Sequence, residues 1–487
     1  MNTIYDEDGD NLYIVIYKLG EGRHRIWFAI ELIEFIKNIK KRKVDICYKA
    51  IKICENDNDG KTEATINEKL IFNKKKCDNV NYPINYFKIK KQLIIIYEVA
   101  LGSLHSFAKY AKYDTKSYEK FILKIIPQMI DSINFVHKCK FIHTDIKPEN
   151  FLLCGMTKLQ NNIIEFTKKY NLETKFSSKI KKKDFDKIID KPLKQFTEKI
   201  VNEFNLPNIL NVDLFKLDYE SDSESDSYSE YDSSDNDTLD SDDLELLDGE
   251  NSDIISDLIS NTDEISHISD SNDYFKVYDK FHTKYILDDL VENNNRTNEN
   301  SDDNKTYEND DETYENEKKE EFEFMRTYME NPVVKLSDFE YLIDNDLKKK
   351  RTMQNRSYRC PEILLGLNYT EKSDYWAFGS TLYELILHKQ LIDIKNENEY
   401  NIHDNDLLNL KLLIQKLGNF NEFINLIKSS PRKDYLLTNS NILKFVNKIE
   451  YNNWKSDIDL INPKIVNLID INLNVDPNKR TLLFNHV

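Results

Sequence analysis

Apolar residues follow two different periods along the first third of this chain. In residues 11–17, 48–53 and 93–99 they alternate or run on through β-branched and aromatic side chains, which predicts short strands. Residues 61–72 have helical character, and in residues 118–137 the apolar positions recur at intervals of three and four. The pattern predicts a β-rich part with one helix, followed by a long amphipathic helix.

A segment of different character lies between residues 154 and 332. Residues 166–199 are Lys-rich with helical character, residues 219–273 are a low-complexity run of Ser, Asp and Glu, and residues 293–323 are rich in Asn, Glu and Asp. With few aromatic residues and many like charges, the last two bury too little apolar surface to offset the entropy of ordering. We interpret the segment as a largely disordered, acidic insertion, and a helical pattern resumes in residues 372–487.

The formal net charge of −18 is unevenly distributed. Residues 220–273 contain 20 acidic and no basic side chains, and residues 302–323 contain 11 acidic and 3 basic ones. The rest of the chain therefore carries about +10, so a basic folded unit holds two acidic segments. Because this positive charge is scattered rather than striped, we expect no nucleic-acid partner.

Simple features exclude further classes of protein. The longest apolar stretch, near residues 93–101, is about half of a bilayer span, and the acidic N-terminus lacks the pattern of a signal peptide, so no membrane partner is expected. Six cysteines without a Cys-x-x-Cys pair argue against zinc and for reduced thiols. We therefore expect an intracellular protein, in the cytoplasm or the nucleus.

The strongest chemical signal is the string FIHTDIKPEN, residues 141–150. Phosphoryl transfer needs a carboxylate that accepts the hydroxyl proton and a further oxygen ligand that holds Mg²⁺ on the phosphates. The string resembles the HxDxxxxN catalytic loop of protein kinases, which implies that Asp145 is the base, Asn150 a metal ligand and Lys147 a charge for the transferred phosphoryl group. The alternative is a surface loop whose Asp and Asn only cap helices.

A pair of glycines follows the first predicted strand, in LGEGRHRIWF. Since only 10 of the 487 residues are glycine, a glycine here is expected to serve its backbone. Gly20 and Gly22 resemble the kinase hairpin that approaches the ATP phosphates, and Leu19 and Trp27 would then contact the nucleotide. The third glycine of that hairpin is absent, with Arg25 near its place, and an ordinary turn is the alternative.

The string KAIK on the next predicted strand resembles the kinase VAIK motif. The resemblance implies that Lys52 holds the α- and β-phosphates and pairs with a glutamate of the following helix, for which Glu68 is the candidate. The backbone from Glu98 to Ala100, after the third predicted strand, would hydrogen-bond adenine. The alternatives for the ion pair are the solvated residues Lys49 and Glu63.

After the insertion, the string VKLSDFE stands where kinases have their DFG segment. Asp338 is then the second Mg²⁺ ligand. Glu340 replaces the glycine of that segment, which restricts φ and places an anion near the phosphates. We expect metal binding by Asp338 to survive this change, and the turnover rate is the property that it puts in question.

Two later strings complete the series. SYRCPE resembles the APE segment and SDYWAFG the start of the helix that follows it. In kinases, Asp374 would tie the catalytic loop and Glu362 would form a buried ion pair with Arg480. Found in this order, the motifs extend the resemblance over residues 11–153 and 333–487.

The family resembled is that of eukaryotic Ser/Thr protein kinases, and within it the SR-protein kinases of the CMGC group. Thr144 in place of the usual Arg, the string HTDIKPEN and the position of the insertion carry this likeness. It implies an α+β, bilobal kinase fold with a small β-rich N-lobe in residues 11–100 and a large helical C-lobe in residues 101–153 and 333–487. It also implies ATP and Mg²⁺ as cofactors, basic Arg/Ser-rich protein substrates and a monomer.

Two further expectations and three alternative functions accompany this resemblance. Without the Arg that usually binds an activation-loop phosphate, Thr144 predicts activity that needs no prior phosphorylation. Acidic residues before a Leu-rich helix, Asp404 and Asp406 among them, are similar to the acidic groove that docks substrates in SR-protein kinases. The rivals are a pseudokinase that recruits basic partners through its insertion, a dual-specificity kinase of the same group, and a nucleic-acid binder.

Overall fold

The β-branched runs of the N-terminal part form one antiparallel sheet. In the computed structural model its six strands have the order β1-β2-β3-β4-β6-β5. Directly paired side chains share a face of such a sheet. The bounds are Thr3–Tyr5 (β1), Leu12–Gly20 (β2), Arg25–Ile33 (β3), Asp45–Cys54 (β4), Asn85–Ile89 (β5) and Gln92–Glu98 (β6).

The structure describes most of the chain on either side of a long central gap. All described residues lie in a single compact unit. They are residues 3–8, 10–20, 24–35, 44–54, 76–90, 92–172, 185–207, 214, 308–346, 354–393, 402–439, 442, 454–455 and 461–484.

Two small sheets hold the catalytic loop and the segment after the insertion side by side. Strand β9 pairs with β7 on one side and with β10 on the other, and β8 pairs with β11. Residues 143–150 therefore lie between β8 and β9, next to residues 337–342 between β10 and β11. The bounds are Ala100–Ser103 (β7), Phe141–Ile142 (β8), Phe151–Cys154 (β9), Val334–Leu336 (β10) and Ile343–Asp344 (β11).

The C-terminal part is helical and is built around α2, whose apolar face is buried as its period predicts. Asp114 caps α2 by accepting a hydrogen bond from the Ser117 backbone N–H at 3.0 Å. The helices are Leu104–Ala108 (α1), Thr115–Lys138 (α2), Lys158–Tyr170 (α3), Phe185–Glu203 (α4), Glu308–Glu330 (α5), Pro361–Leu364 (α6), Lys372–Leu387 (α7), Ile402–Leu417 (α8), Phe420–Lys428 (α9) and Pro463–Asn472 (α10).

The start of the predicted insertion packs against the N-terminal sheet. Apolar side chains of α3 and α4, among them Ile163 and Phe196, share a buried cluster with Phe28 and Ile30 of β3. Thr157 and Gln160 form a capping box at the start of α3. The folded unit is thus larger than the sequence interpretation predicted. That interpretation missed the two helices because the apolar stripe of each stands among many lysines, so composition alone did not reveal it.

The end of the predicted insertion returns to its beginning through α5. The Tyr328 hydroxyl donates a hydrogen bond to the Met156 carbonyl at 3.0 Å, and its ring packs on Gly155. Gly155 has a φ of +145°, and a Cβ there would overlap the Tyr328 ring, so glycine is required. Farther along α5, the Phe322 ring packs at a tilt against Tyr113, with ring centroids 5.4 Å apart.

All six cysteines lie among the described residues, and none forms a disulfide. None of the helices in the described part of the chain combines the length and the apolarity that crossing a membrane requires.

Candidate active site

The catalytic loop folds so that its carboxylate is held by two neighbours. The Lys147 ammonium lies 2.9 Å from Asp145 Oδ2, and the Asn150 side-chain amide donates to the Asp145 carbonyl at 2.7 Å and to its Oδ2 at 2.8 Å. Burial would lower the pKa of Lys147, but the Asp145 carboxylate outweighs burial and raises it. The loop therefore presents an aspartate beside a permanent positive charge.

A single buried carboxylate anchors the other end of this loop. Asp374, at the start of α7, accepts hydrogen bonds from the backbone N–H groups of His143 at 2.7 Å and Thr144 at 2.9 Å, and from the His137 ring at 2.7 Å. Thr144 has a φ of +66°, which a β-branched residue seldom adopts. The three hydrogen bonds hold this strained backbone, as expected for Asp374 from the sequence.

His143 connects the catalytic loop to the segment after the insertion. Its Nε2 donates to the Ser337 carbonyl at 3.2 Å, its Nδ1 accepts from the Asp145 backbone N–H at 3.3 Å, and its ring packs edge-on against Phe339. Burial lowers the pKa of His143, so the ring is neutral and each nitrogen has one role.

Lys52 of β4 meets the carboxylates of that segment. Its ammonium lies 3.4 Å from Asp338 Oδ1 and 3.9 Å from Glu340 Oε2. Burial would raise the pKa of Asp338, but the charge of Lys52 and of the groups around it lowers the pKa overall, so the carboxyl is ionised. The structure thus brings together Lys52 and Asp338, two predicted site residues, although the partner predicted for Lys52 was Glu68.

The side chains present fit a magnesium nucleotide. Because the Asn150 amide nitrogen is committed to Asp145, its carbonyl oxygen is the atom left for a cation, and Asp338 supplies an ionised carboxylate. At Gly20 no heavy atom of the described residues lies within 4 Å of the position a Cβ would take, so among them the backbone at the end of β2 adjoins open space. A phosphate group can approach the hairpin there.

The predicted nucleotide contacts divide between the two faces of the sheet. Lys52 pairs directly with Ile26, and Ala50 with Phe28, so these side chains share one face. Trp27 pairs with Ile51 and lies on the opposite face, which corrects its predicted position beside the nucleotide. In β3, Phe28 is the aromatic residue that faces the Lys52 side.

The remaining predicted nucleotide residues are placed as follows. Leu19 lies near the end of β2 and packs against the cluster that includes Phe28. Glu98 ends β6 and Ala100 begins β7, so the predicted adenine-binding backbone joins the two sheets, and the Glu98 carboxylate lies 2.8 Å from the Lys335 ammonium. Gly22 and Glu68 lie outside the described residues.

Side-chain hydrogen bonds hold described residues that follow Glu340. The Thr144 hydroxyl donates to the Tyr341 carbonyl at 2.7 Å. Buried Gln354 donates to the Ser373 carbonyl at 3.1 Å and accepts from the Cys360 backbone N–H at 3.1 Å. Gln354 has a φ of +76°, and the sequence analysis missed it because no local pattern marks it.

Two arginines form ion pairs with Asp406, one of the acidic residues that the sequence suggested for substrate docking. Asp406 of α8 lies 3.1 Å from the Arg359 guanidinium and 3.4 Å from that of Arg432. Asp406 is therefore committed to a partly buried cluster within the chain, and the side chain of Asp404 lies outside the described residues.

A second acidic group lies beside the catalytic loop. His105 Nδ1 is 3.3 Å from Glu149 Oε1 and 3.4 Å from Glu384 Oε1, and the Tyr358 hydroxyl hydrogen-bonds Glu384. Burial raises the pKa of Glu149, and the hydrogen bond with Glu384 raises the pKa of His105. The sequence analysis missed this group because its members come from α1, the catalytic loop and α7.

Farther from the loop, a buried ion pair ties the last described residues to the core. The Arg480 guanidinium donates to both carboxylate oxygens of Glu362, at 2.6 and 2.9 Å, and lies over the Trp376 ring. This bidentate pair was expected from the sequence.

The chain belongs to the protein kinase domain family. The pattern of the family described as "Protein kinase domain" matches residues 35–192 and 324–485, two segments that together cover more than half of the chain. The hairpin that ends in Gly20 precedes the matched residues, so its role stays a prediction. The sheet, the helical part and the matched segments together confirm the predicted bilobal kinase fold.

The relatives are kinases of several organisms. L205 of Acanthamoeba polyphaga mimivirus, a protein named as a serine/threonine kinase, is 24% identical over an alignment 503 positions long. The alignment covers 96% of this chain and 85% of that protein. The serine/threonine-protein kinase AFC1 of Arabidopsis thaliana is 24% identical over 37% of this chain and 38% of its own length. The dual specificity protein kinase YAK1 of Saccharomyces cerevisiae is 34% identical over 16% of this chain and 10% of its own.

Proposed function

We propose that this protein is an active, intracellular and monomeric Ser/Thr kinase that transfers the ATP γ-phosphate to basic, Arg/Ser-rich protein substrates. The observation that carries the proposal is the arrangement of five side chains: Lys147 and Asn150 contact Asp145, and Lys52 lies 3.4 Å from Asp338, whose pKa the Lys147 charge also lowers. Of these groups, Lys147 is positively charged and Asp338 is ionised, as phosphoryl transfer requires.

In this mechanism Asp145 accepts the proton of the attacking hydroxyl, and Lys147 stabilises the charge of the transferred phosphoryl group. Lys52 binds the α- and β-phosphates. Mg²⁺ held by Asn150 and Asp338 would neutralise the phosphate oxygens and fix their geometry. Neutral His143 keeps the loop that carries Asp145 in register with the segment that carries Asp338.

The acidic group of Glu149 and Glu384 supports the basic substrate class. Glu149 directly precedes Asn150, so its carboxylate lies beside the loop that receives the hydroxyl group. A guanidinium of the substrate could pair with both carboxylates, because two convergent carboxylates suit its fork of N–H donors. This places the proposed Arg contact close to the phosphorylated residue.

The test is transfer of ³²P from ATP to an Arg-Ser-repeat peptide. Asp145→Ala should lower kcat by a factor of about 10² to 10⁴, the contribution typical of a general base. The matched control is Asp131→Ala on the exposed surface of α2, which should transfer at the unaltered rate. Transfer that persists in Asp145→Ala would contradict the proposed role, and a preference for Pro-directed or acidic peptides would contradict the substrate class.

A pseudokinase is the second candidate, and the Glu340 carboxylate 3.9 Å from Lys52 favours it. An anion in this position repels the phosphates that Lys52 attracts. A thermal shift with Mg-ATP, measured beside the transfer assay, separates the two functions. If the chain binds ATP but transfers phosphate to no peptide, the result would favour the second function, a scaffold that recruits basic partners.

A further inference from the structure

Glu340 makes contacts that the glycine usual at its position could not make. Its Oε2 accepts a hydrogen bond from His24 Nε2 at 2.8 Å and lies 3.9 Å from the Lys52 ammonium. The side chains of both Glu340 and His24 are only 6% exposed. A buried carboxylate requires partners of this kind, which the His24 ring and the Lys52 ammonium supply.

The three residues belong to parts of the chain that are distant in sequence. His24 directly precedes β3, on the arm of the hairpin that pairs with Gly20, and Glu340 is 316 positions away. Lys52 pairs with Ile26, two residues beyond His24. The contact therefore ties the tip of the N-terminal sheet to the turn that carries Asp338.

We propose that His24 and Glu340 form a clasp that holds the hairpin over the phosphate groups of ATP and keeps Lys52 aimed at them. This inference rests on the proposed function, since it names positioning residues for the same nucleotide site. A hairpin fixed before the nucleotide arrives loses less conformational entropy on binding. The benefit falls on the phosphates, which lie under the hairpin, and not on the adenosine part.

The opposite effect of Glu340 is electrostatic repulsion of the phosphates. The two effects predict opposite results when the carboxylate is removed: release of the clasp weakens ATP binding, and loss of the repulsion tightens it. We take the clasp to dominate, because the His24 hydrogen bond is short and buried whereas Lys52 already offsets the charge.

The experiment compares the binding of Mg-ATP with that of adenosine to the full chain by isothermal titration calorimetry. The variants are Glu340→Gly, which restores the family's residue, the isosteric Glu340→Gln, His24→Ala, and the double variant of Glu340→Gly with His24→Ala. Glu31→Gln is the matched control. Like Glu340, Glu31 has a buried carboxylate near a lysine: it lies in β3, and its Oε2 is 3.8 Å from the Lys49 ammonium. Melting temperatures verify that each variant is folded.

We expect Glu340→Gly and His24→Ala each to raise the Kd for Mg-ATP about tenfold, as for a hydrogen bond to a charged group, and to leave that for adenosine within about twofold. The double variant should be no weaker than either single one, because both remove the same contact. The Kd of Glu340→Gln for Mg-ATP should lie between that of the unaltered chain and that of Glu340→Gly. The Kd of Glu31→Gln should equal that of the unaltered chain.

Equal losses for ATP and adenosine, additive losses in the double variant, or tighter ATP binding after removal of Glu340 would each overturn the clasp. Failure of the proposed function looks different. ATP binding with the expected losses but no transfer to peptides would contradict the kinase activity and leave the clasp standing. If the unaltered chain bound no ATP, both would be overturned.

Discussion

At the scale of single residues, His105 is placed to modulate the proposed contact with a basic substrate. Its ring lies between the carboxylates of Glu149 and Glu384, and the hydrogen bond with Glu384 raises its pKa above the usual 6.5. Below that pKa the ring carries a positive charge that competes with a substrate arginine. Above it the ring is neutral, and the two carboxylates are left to the substrate.

The KM for an Arg-Ser-repeat peptide should therefore fall, by about threefold to tenfold, as the pH rises through the pKa of His105 toward 8. His105→Asn should remove this dependence on pH and give the lower KM throughout. Steady-state kinetics between about pH 6 and 8 check the prediction, with a peptide lacking arginine as the control. A KM for the basic peptide that rises with pH would contradict it.

The residue scale also shows where local sequence suffices and where it does not. Asp145 and Asn150 lie five positions apart, so one string identified both, and the structure adds the hydrogen bond between them. The face of Trp27 depends on strand register and on irregularities in the pairing of β2 with β3, which no local pattern reveals. The contact of His24 with Glu340 spans 316 positions and could not be inferred from either neighbourhood.

At the scale of elements, Thr144 and Gln354 hold described residues after Glu340 by side-chain hydrogen bonds. Treatment with a phosphatase should leave the activity unchanged, because both residues bond the segment to backbone groups without a phosphate. Gln354→Ala leaves the buried Cys360 N–H without its acceptor, which costs about 1–3 kcal/mol. We expect it to lower kcat more than it raises the KM for ATP. Loss of activity after the phosphatase would contradict this account.

Helix α4 is an element whose packing composition concealed. Phe196 is fully buried against the N-terminal sheet, so Phe196→Ala should lower the free energy of unfolding by about 3–5 kcal/mol. Lys194→Ala, on the exposed side of the same helix, should change it by less than about 0.5 kcal/mol. Urea denaturation measures both. Equal stability of the two variants would mean that α4 does not belong to the folded unit.

At the scale of the whole molecule, a few contacts hold the C-lobe together around the catalytic loop. Strand pairing sets the catalytic loop beside the Asp338 segment, Asp374 holds the loop to α7, and Arg480 holds the last described residues to Glu362. The order of the motifs predicted the contacts of Asp374 and Arg480, because each residue belongs to a string with its own signature. The extent of the folded unit was not predictable in this way, since α3, α4 and α5 carry no such signature.

The junction of Tyr328 with Gly155 and Met156 joins described residues on the two sides of the long central gap. A kinase with this property can be made as two polypeptides. Fragments of residues 1–214 and 308–487, produced together, should copurify and bind Mg-ATP, whereas either alone should not. Tyr328→Ala should weaken their association, which gel filtration of the pair would show, and intact association of that variant would locate the join elsewhere. The two fragments would then serve as a split-protein reporter. Any interaction that brings them together would take the place of the omitted segment.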